Sequence, residues 1–261
     1  MILDQFKLTG RRALICGASQ GIGRAIAHAL SEAGADVLLL ARSEEKLLGL
    51  QKKLSPSKSE IIVADLENHA ELQAKLQRLM GPEKPIHVLI NNAAGPAPGA
   101  ILEAKPEEFT QAFQRHVLAA HLLTRICLPG MKQAGFGRII NIISTSVREP
   151  IANLGVSNTI RGAMASWAKT LAGELPPGIT INNILPGYTD TPRLDSLKKA
   201  IALNKKISPE DVVREWEQII PEGRVARPQE IAAAALFLAS PAASYVRGIS
   251  LAVDGGRTRS L

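Results

Sequence analysis

Cysteine is scarce in this chain: only Cys16 and Cys127 occur among 261 residues. Both fall in apolar, periodic stretches and offer neither a disulfide framework nor metal-ligand spacing. The expectation is a reducing compartment, the cytoplasm, with both thiols in the core and no metal bound. Aromatic residues make up 3%, too few for the stacking platforms of nucleic-acid binding. The net charge of +7 comes from scattered basic residues rather than one patch, so nucleic acid is not an expected partner. No window reaches the roughly 18 apolar residues of a membrane span, and Met1 to Lys7 lacks a basic start followed by a long apolar run, so no membrane is expected either. Repeats and low-complexity linkers are also missing. What remains is 46% hydrophobic and 21% charged, enough for one large α/β core in a single domain over residues 1–261.

The most informative stretch is Cys16-Gly17-Ala18-Ser19-Gln20-Gly21-Ile22-Gly23. It follows the apolar run Ala13-Leu14-Ile15 and opens into Arg24-Ala25-Ile26-Ala27-His28-Ala29-Leu30, which reads as strand, glycine turn and helix. Glycine lets a backbone approach a ligand closely, and the free N–H groups of a helix start attract an anion such as a dinucleotide pyrophosphate. The spacing Gly-x-x-x-Gly-x-Gly is neither Gly-x-Gly-x-x-Gly nor a Walker loop, so by itself it fits a plain strand-to-helix turn equally well.

Strand and helix patterns then alternate without a break. Residues 36–41 read as a buried strand, with Ser43 as N-cap of the helix that follows. At the end of that strand a dinucleotide fold holds the ribose 2′-hydroxyl with a carboxylate or a 2′-phosphate with arginine; here it carries Ala41-Arg42. Residues 59–66 read as a third strand, 67–80 as a helix, and 86–90 as a fourth strand before the turn Asn91-Asn92-Ala93-Ala94-Gly95-Pro96. One long amphipathic helix is expected over 106–131, a fifth strand over 137–144, a helix over 157–175 and a sixth strand over 178–185. Residues 193–223 are charged and less regular, with one helix at 209–219, and read as a substrate lid. A helix over 228–240 and a strand with a turn over 249–256 close the chain.

Seven strands alternating with helices, the Cys16 to Gly23 turn, Asn91-Asn92-Ala93-Ala94-Gly95, Asn141-Ile142-Ile143-Ser144, Pro186-Gly187 with Thr191, and Val253-Asp254-Gly255-Gly256 together resemble the short-chain dehydrogenase/reductase family. Arg227-Pro228-Gln229-Glu230-Ile231 and Phe237-Leu238-Ala239-Ser240 are most similar to its 3-oxoacyl-[acyl-carrier-protein] reductase branch. The resemblance implies a Rossmann-type, doubly wound, seven-stranded parallel sheet. It also implies cofactor-binding roles for Gly17, Ser19, Gln20, Gly21, Ile22 and Gly23 at the pyrophosphate, Asp65 and Leu66 at the adenine, and Asn91 and Ala93 at the ribose. Pro186, Gly187, Thr189 and Thr191 would face the nicotinamide. Paired long helices would make a homotetramer, and the substrate would be a small carbonyl or hydroxyl compound, free or carried on an acidic carrier protein.

The family's catalytic group of asparagine, serine, tyrosine and lysine is mostly replaced. By register those positions hold His116, Ser144, Ser157 and Arg161. A phenol with a pKa near 10, lowered by a neighbouring ammonium, exchanges a proton with an alcohol near neutral pH; an aliphatic hydroxyl is a far weaker acid. Arg161 keeps the charge and can anchor a ribose but cannot relay a proton. The structural alternatives are a helix cap for Ser157, a grip on an acidic neighbour for Arg161 and a core position for His116. Tyr188, just after Pro186-Gly187, is the candidate substitute acid. The expectation is an oxidoreductase using NADP(H) in preference to NAD(H); the rival is a catalytically impaired dinucleotide-binding sensor or assembly partner.

Overall fold

Alternating buried strands and amphipathic helices fold into a seven-stranded, all-parallel sheet in the order β3-β2-β1-β4-β5-β6-β7. The computed structural model describes residues 1–54, 58–81 and 83–260. The strands are β1 (Arg12–Cys16), β2 (Asp36–Ala41), β3 (Ser59–Val63), β4 (Val88–Asn91), β5 (Gly137–Ile142), β6 (Ile179–Pro186) and β7 (Ser250–Val253). The helices are α1 (Gly21–Glu32), α2 (Glu44–Gln51), α3 (His69–Leu79), α4 (Pro106–Phe113), α5 (Ala119–Gln133), α6 (Gly155–Glu174), α7 (Pro192–Lys205), α8 (Pro209–Ile219) and α9 (Pro228–Ala239). Side chains alternate across the sheet, so Ala13 and Ile15 join the core under α1, α2 and α9 while Leu14 and Cys16 join the one under α3, α5 and α6. Cys16 and Cys127 are free, buried thiols. The strand order reverses direction between β1 and β4, which opens a crevice at the carboxyl ends of the strands.

Several element bounds differ from the sequence reading. β3 stops at Val63 because Ala41↔Val63 is its last register pair with β2, which leaves Asp65 and Leu66 in the loop above the sheet. β5 stops at Ile142 for the same reason, opposite Ile184. The expected helix over 106–131 is interrupted: residues Gln114–Leu118 form a π-turn between α4 and α5. Such a turn rotates the following residues relative to an α-helix, and His116 lies buried within it. Residues 193–223 hold two helices rather than one. The earlier of the two, α7, is capped by Thr191 Oγ1 accepting the Leu194 N–H, with Pro192 at its first position, a start signal already present in Thr191-Pro192. Ser157 is not a cap, since α6 begins two residues earlier, after Leu154.

Buried histidines give the fold a pH dependence. His87 Nδ1 accepts the Arg12 backbone N–H at 3.0 Å. Burial first, then the charges of Arg11 and Arg12, pushes its pKa from 6.5 down to about 4. The unfolded chain takes up that proton near pH 6.5 and the folded chain only near 4, so stability is full above about pH 6.5 and falls by roughly 3 kcal/mol as pH drops to 4. His116, held well below its ordinary value by burial and by Arg161 and Arg115, adds a loss in the same direction. Thermal unfolding from pH 7 to 4 should show the decline, and His87→Gln should flatten it. An unchanged slope in that variant would count against this account.

Candidate functional site

The crevice forms one continuous cavity of about 1350 Å³ that runs from the glycine turn after β1 to the region beside Ser144 and α7. Its geometry begins at Gly17, whose φ of +62° suits glycine. A Cβ there would lie 2.6 Å from Asn92 Nδ2, and one on Gly23 would lie 2.2 Å from the Gly17 carbonyl oxygen. Asn92 Nδ2 donates to the main-chain oxygens of Cys16 (3.2 Å) and Gly17 (3.4 Å), bracing the turn where Cys16 has no hydroxyl to offer. Gly17, Ser19, Gln20, Gly21 and Ile22 line the cavity. Gly23 does not, and serves instead the close packing of α1 against the turn. The N–H groups at the start of α1 border the cavity at this glycine turn, an arrangement that fits a dinucleotide pyrophosphate.

At one end Arg42, Asp65 and Leu66 line the wall. Arg42 Nη1 lies 3.6 Å from Asp65 Oδ2 in an exposed pair, worth little to stability. Ala93 also lines the cavity, but Asn91 does not. As the last residue of β4, Asn91 sits in register with Asn141, Asn183 and Ser250. Its Nδ2 donates to Asn141 Oδ1 at 2.8 Å, Asn141 Nδ2 to Asn183 Oδ1 at 2.9 Å and Asn183 Nδ2 to Ser250 Oγ at 3.0 Å. The Asn91 side chain thus belongs to an amide ladder through the sheet, and Asn92, one residue beyond the strand, lines the cavity.

At the other end Ser144, Ser157, Arg161 and Tyr188 share the wall with Pro186, Gly187, Thr189 and Thr191. Ser144 Oγ accepts the Ser146 N–H at 3.1 Å, which leaves its own proton free to donate into the cavity. Arg161 is buried and has no carboxylate partner among the described residues. Its Nη1 donates to Ile142 O at 3.0 Å and its Nη2 to Ala93 O at 3.5 Å. Burial, then the nearby Arg193 charge, lowers its pKa to about 10, so it stays cationic at neutral pH. His116 lies outside the main cavity, hydrogen-bonded to the Ala94 backbone. Together with Asn91 and Arg161 it lines a separate pocket of about 10 Å³. Asn91 Oδ1, His116 Nε2 and Arg161 Nε, all without partners among the described residues, make that pocket polar and about the size of one water.

The sequence reading missed Asn92, Arg193, Trp216 and Arg257, all of which line the main cavity. Tyr188 stacks on Trp216 of α8, ring centroids 4.7 Å apart. Arg257 Cζ stands 5.1 Å over the Tyr188 ring, and Arg257 Nη1 donates to Thr145 Oγ1 at 3.2 Å.

These features define a Rossmann-type, doubly wound α/β protein with its cavity at the strand-order switch. A family model described as Enoyl-(Acyl carrier protein) reductase matches residues 17–258. The chain is 34% identical over 262 residues to an uncharacterized oxidoreductase of Mycobacterium tuberculosis, covering 99% of this chain and 96% of that protein. It is 31% identical to the 3-oxoacyl-[acyl-carrier-protein] reductase FabG of Vibrio cholerae, covering 95% of this chain and 98% of that one. The crystal structure of YwfH, an NADPH dependent reductase involved in bacilysin biosynthesis, matches with a TM-score of 0.91 at 29% identity, over 96% of this chain and 99% of that one. The chain belongs to the short-chain dehydrogenase/reductase family, in its FabG-like branch, and is an oxidoreductase by that membership.

Proposed function

We propose that this protein is an NADP(H)-dependent oxidoreductase that interconverts a carbonyl and a hydroxyl group. The observation that carries this reading is the single cavity joining the glycine turn and Arg42 at one end to Ser144 at the other. A bound nicotinamide dinucleotide would supply or accept the hydride there. The chain's own residues would bind and orient it: the α1 N-terminus and glycine turn would hold the pyrophosphate, Arg42 the 2′-phosphate and Arg161 the ribose. Ser144 donates a hydrogen bond to the reacting oxygen. Helices α7 and α8, which carry their own small core of Ala202, Val212 and Trp216, act as the lid that keeps water from it. The NADPH dependence of YwfH supports the choice of cofactor.

Calorimetric titration tests this. NADPH should bind at least tenfold more tightly than NADH, and Arg42→Ala should remove most of that preference, a loss of about 1.4 kcal/mol that leaves NADH affinity unchanged. Equal binding of the two cofactors by the native protein would refute the assignment.

A further inference from the structure

Three guanidinium groups meet on the wall beside Ser144 and Ser157, brought from α6, α7 and the C-terminal segment. Arg161 gives one hydrogen of Nη1 and one of Nη2 to main-chain oxygens. Arg193, exposed at the rim, donates through Nη2 to Pro96 O at 2.5 Å. Both point at Gly95: a Cβ there would lie 3.6 Å from Arg161 Nη2, 3.9 Å from Arg193 Nη2 and 4.0 Å from Ser157 Oγ. Arg257 adds a third charge close to Ser144 through its bond to Thr145.

Among the described residues, no carboxylate forms an ion pair with any of the three. The acids on the cavity wall face cations of their own, Asp65 with Arg42 and Glu215 with Lys205. Glu149 and Asp254 lie in the field of Arg257, but their oxygens accept the backbone amides of the C-terminal segment, Arg259 and Ser260 for Glu149 and Gly256 and Thr258 for Asp254. Gathering like charges with no direct ion pair among the described residues is unfavourable, and burial and Arg193 together depress the Arg161 pKa. A cofactor accounts for little of this charge, because its phosphates belong at the α1 N-terminus and Arg42, toward the other end of the cavity.

We propose that the substrate is an organic anion, a carbonyl compound carrying a carboxylate, with the carboxylate seated between Arg161 and Arg193 above Gly95. This rests on the reading of the cavity as a reductase site. A carboxylate there takes charge-assisted hydrogen bonds from both guanidiniums. Arg257 adds favourable potential from the same wall, and the edges of the stacked Tyr188 and Trp216 rings line the cavity beside it.

The test is a binding measurement that needs no turnover. Protein loaded with NADP⁺ is titrated with benzoylformate and with its uncharged methyl ester, followed by calorimetry and by fluorescence of the tryptophan in the cavity, Trp216. The acid should bind at least tenfold more tightly than the ester, and that advantage should shrink as salt is raised to about 0.5 M. Arg193→Ala should remove most of the advantage without changing ester or NADP⁺ affinity, and Arg193→Lys should retain part of it. Equal affinity for acid and ester, no saturable binding of the acid, or an Arg193→Ala loss that falls on NADP⁺ instead would overturn the proposal. If the native protein binds no NADP(H), the reductase reading fails separately, and the same comparison on the unloaded protein still decides whether the anion seat exists.

Discussion

Changing Ser157 to tyrosine and Arg161 to lysine together is expected to raise ketone reduction by about 10²–10⁴-fold, the usual contribution of a positioned general acid. Ser157 lines the same cavity as Ser144, so a phenol there would project into the space proposed for the reacting oxygen. The native pair cannot do this work: the Ser157 hydroxyl is a weak acid, and the Arg161 guanidinium, with a pKa of about 10, stays charged. Each change alone should give far less than half the logarithmic gain. A tyrosine beside arginine lacks the tuned ammonium, and a lysine without a phenol has nothing to tune. Tyr188→Phe should leave native turnover within about threefold, because that ring stacks on Trp216 under the Arg257 guanidinium and serves as wall. Initial rates with NADPH and a panel of ketones measure all four proteins. If Tyr188→Phe abolishes native turnover and the double change gains nothing, the proton comes from Tyr188.

Gly23→Ala is expected to be the most damaging single-methyl change in the chain. The added Cβ would lie 2.2 Å from the Gly17 carbonyl oxygen and 2.7 Å from Asn92 Nδ2, one a main-chain atom and the other the brace of the turn. Neither can move without separating α1 from β1, so the change should cost about 3 kcal/mol or more and weaken NADP(H) binding by at least 100-fold. Gly21→Ala should be milder, since its Cβ would lie 3.1 Å from the Thr191 methyl group, although a φ of +54° adds strain. Gly49→Ala is the control: it lies within α2 with nothing within 4 Å of the new methyl, and should stabilise the protein by up to about 1 kcal/mol. Thermal unfolding with and without NADP(H), together with calorimetry, separates the three. A Gly23→Ala protein that melts and binds like the native one would show that the turn is looser than its geometry indicates.

The glycine turn and the alternation of strands and helices were legible because each depends on local pattern. Period-two or continuous apolar runs make strands, capping residues start helices, and glycine marks the close approach. The start of α7 was equally local, in Thr191-Pro192, and went unread because the charge of the following residues hid it. Asn91 and Asn92 could not be told apart in sequence. Which of them faces the cavity depends on the residue at which β4 stops pairing, and one step along a strand turns a side chain to the other side. The π-turn that buries His116 lies against α6, a contact that no local pattern in Gln114–Leu118 announces.

By itself, then, the sequence determined the order of elements and the parallel sheet they form, since backbone propensity is a property of neighbouring residues. Only the tertiary structure decided that Asn91 joins an amide ladder while Asn92 braces the turn, and that Arg161, Arg193 and Arg257 share one wall. Charges so far apart in the chain act together only after the sheet has brought α6, α7 and the C-terminal segment to the same end of the strands, where their fields overlap in a cavity that water does not fully screen.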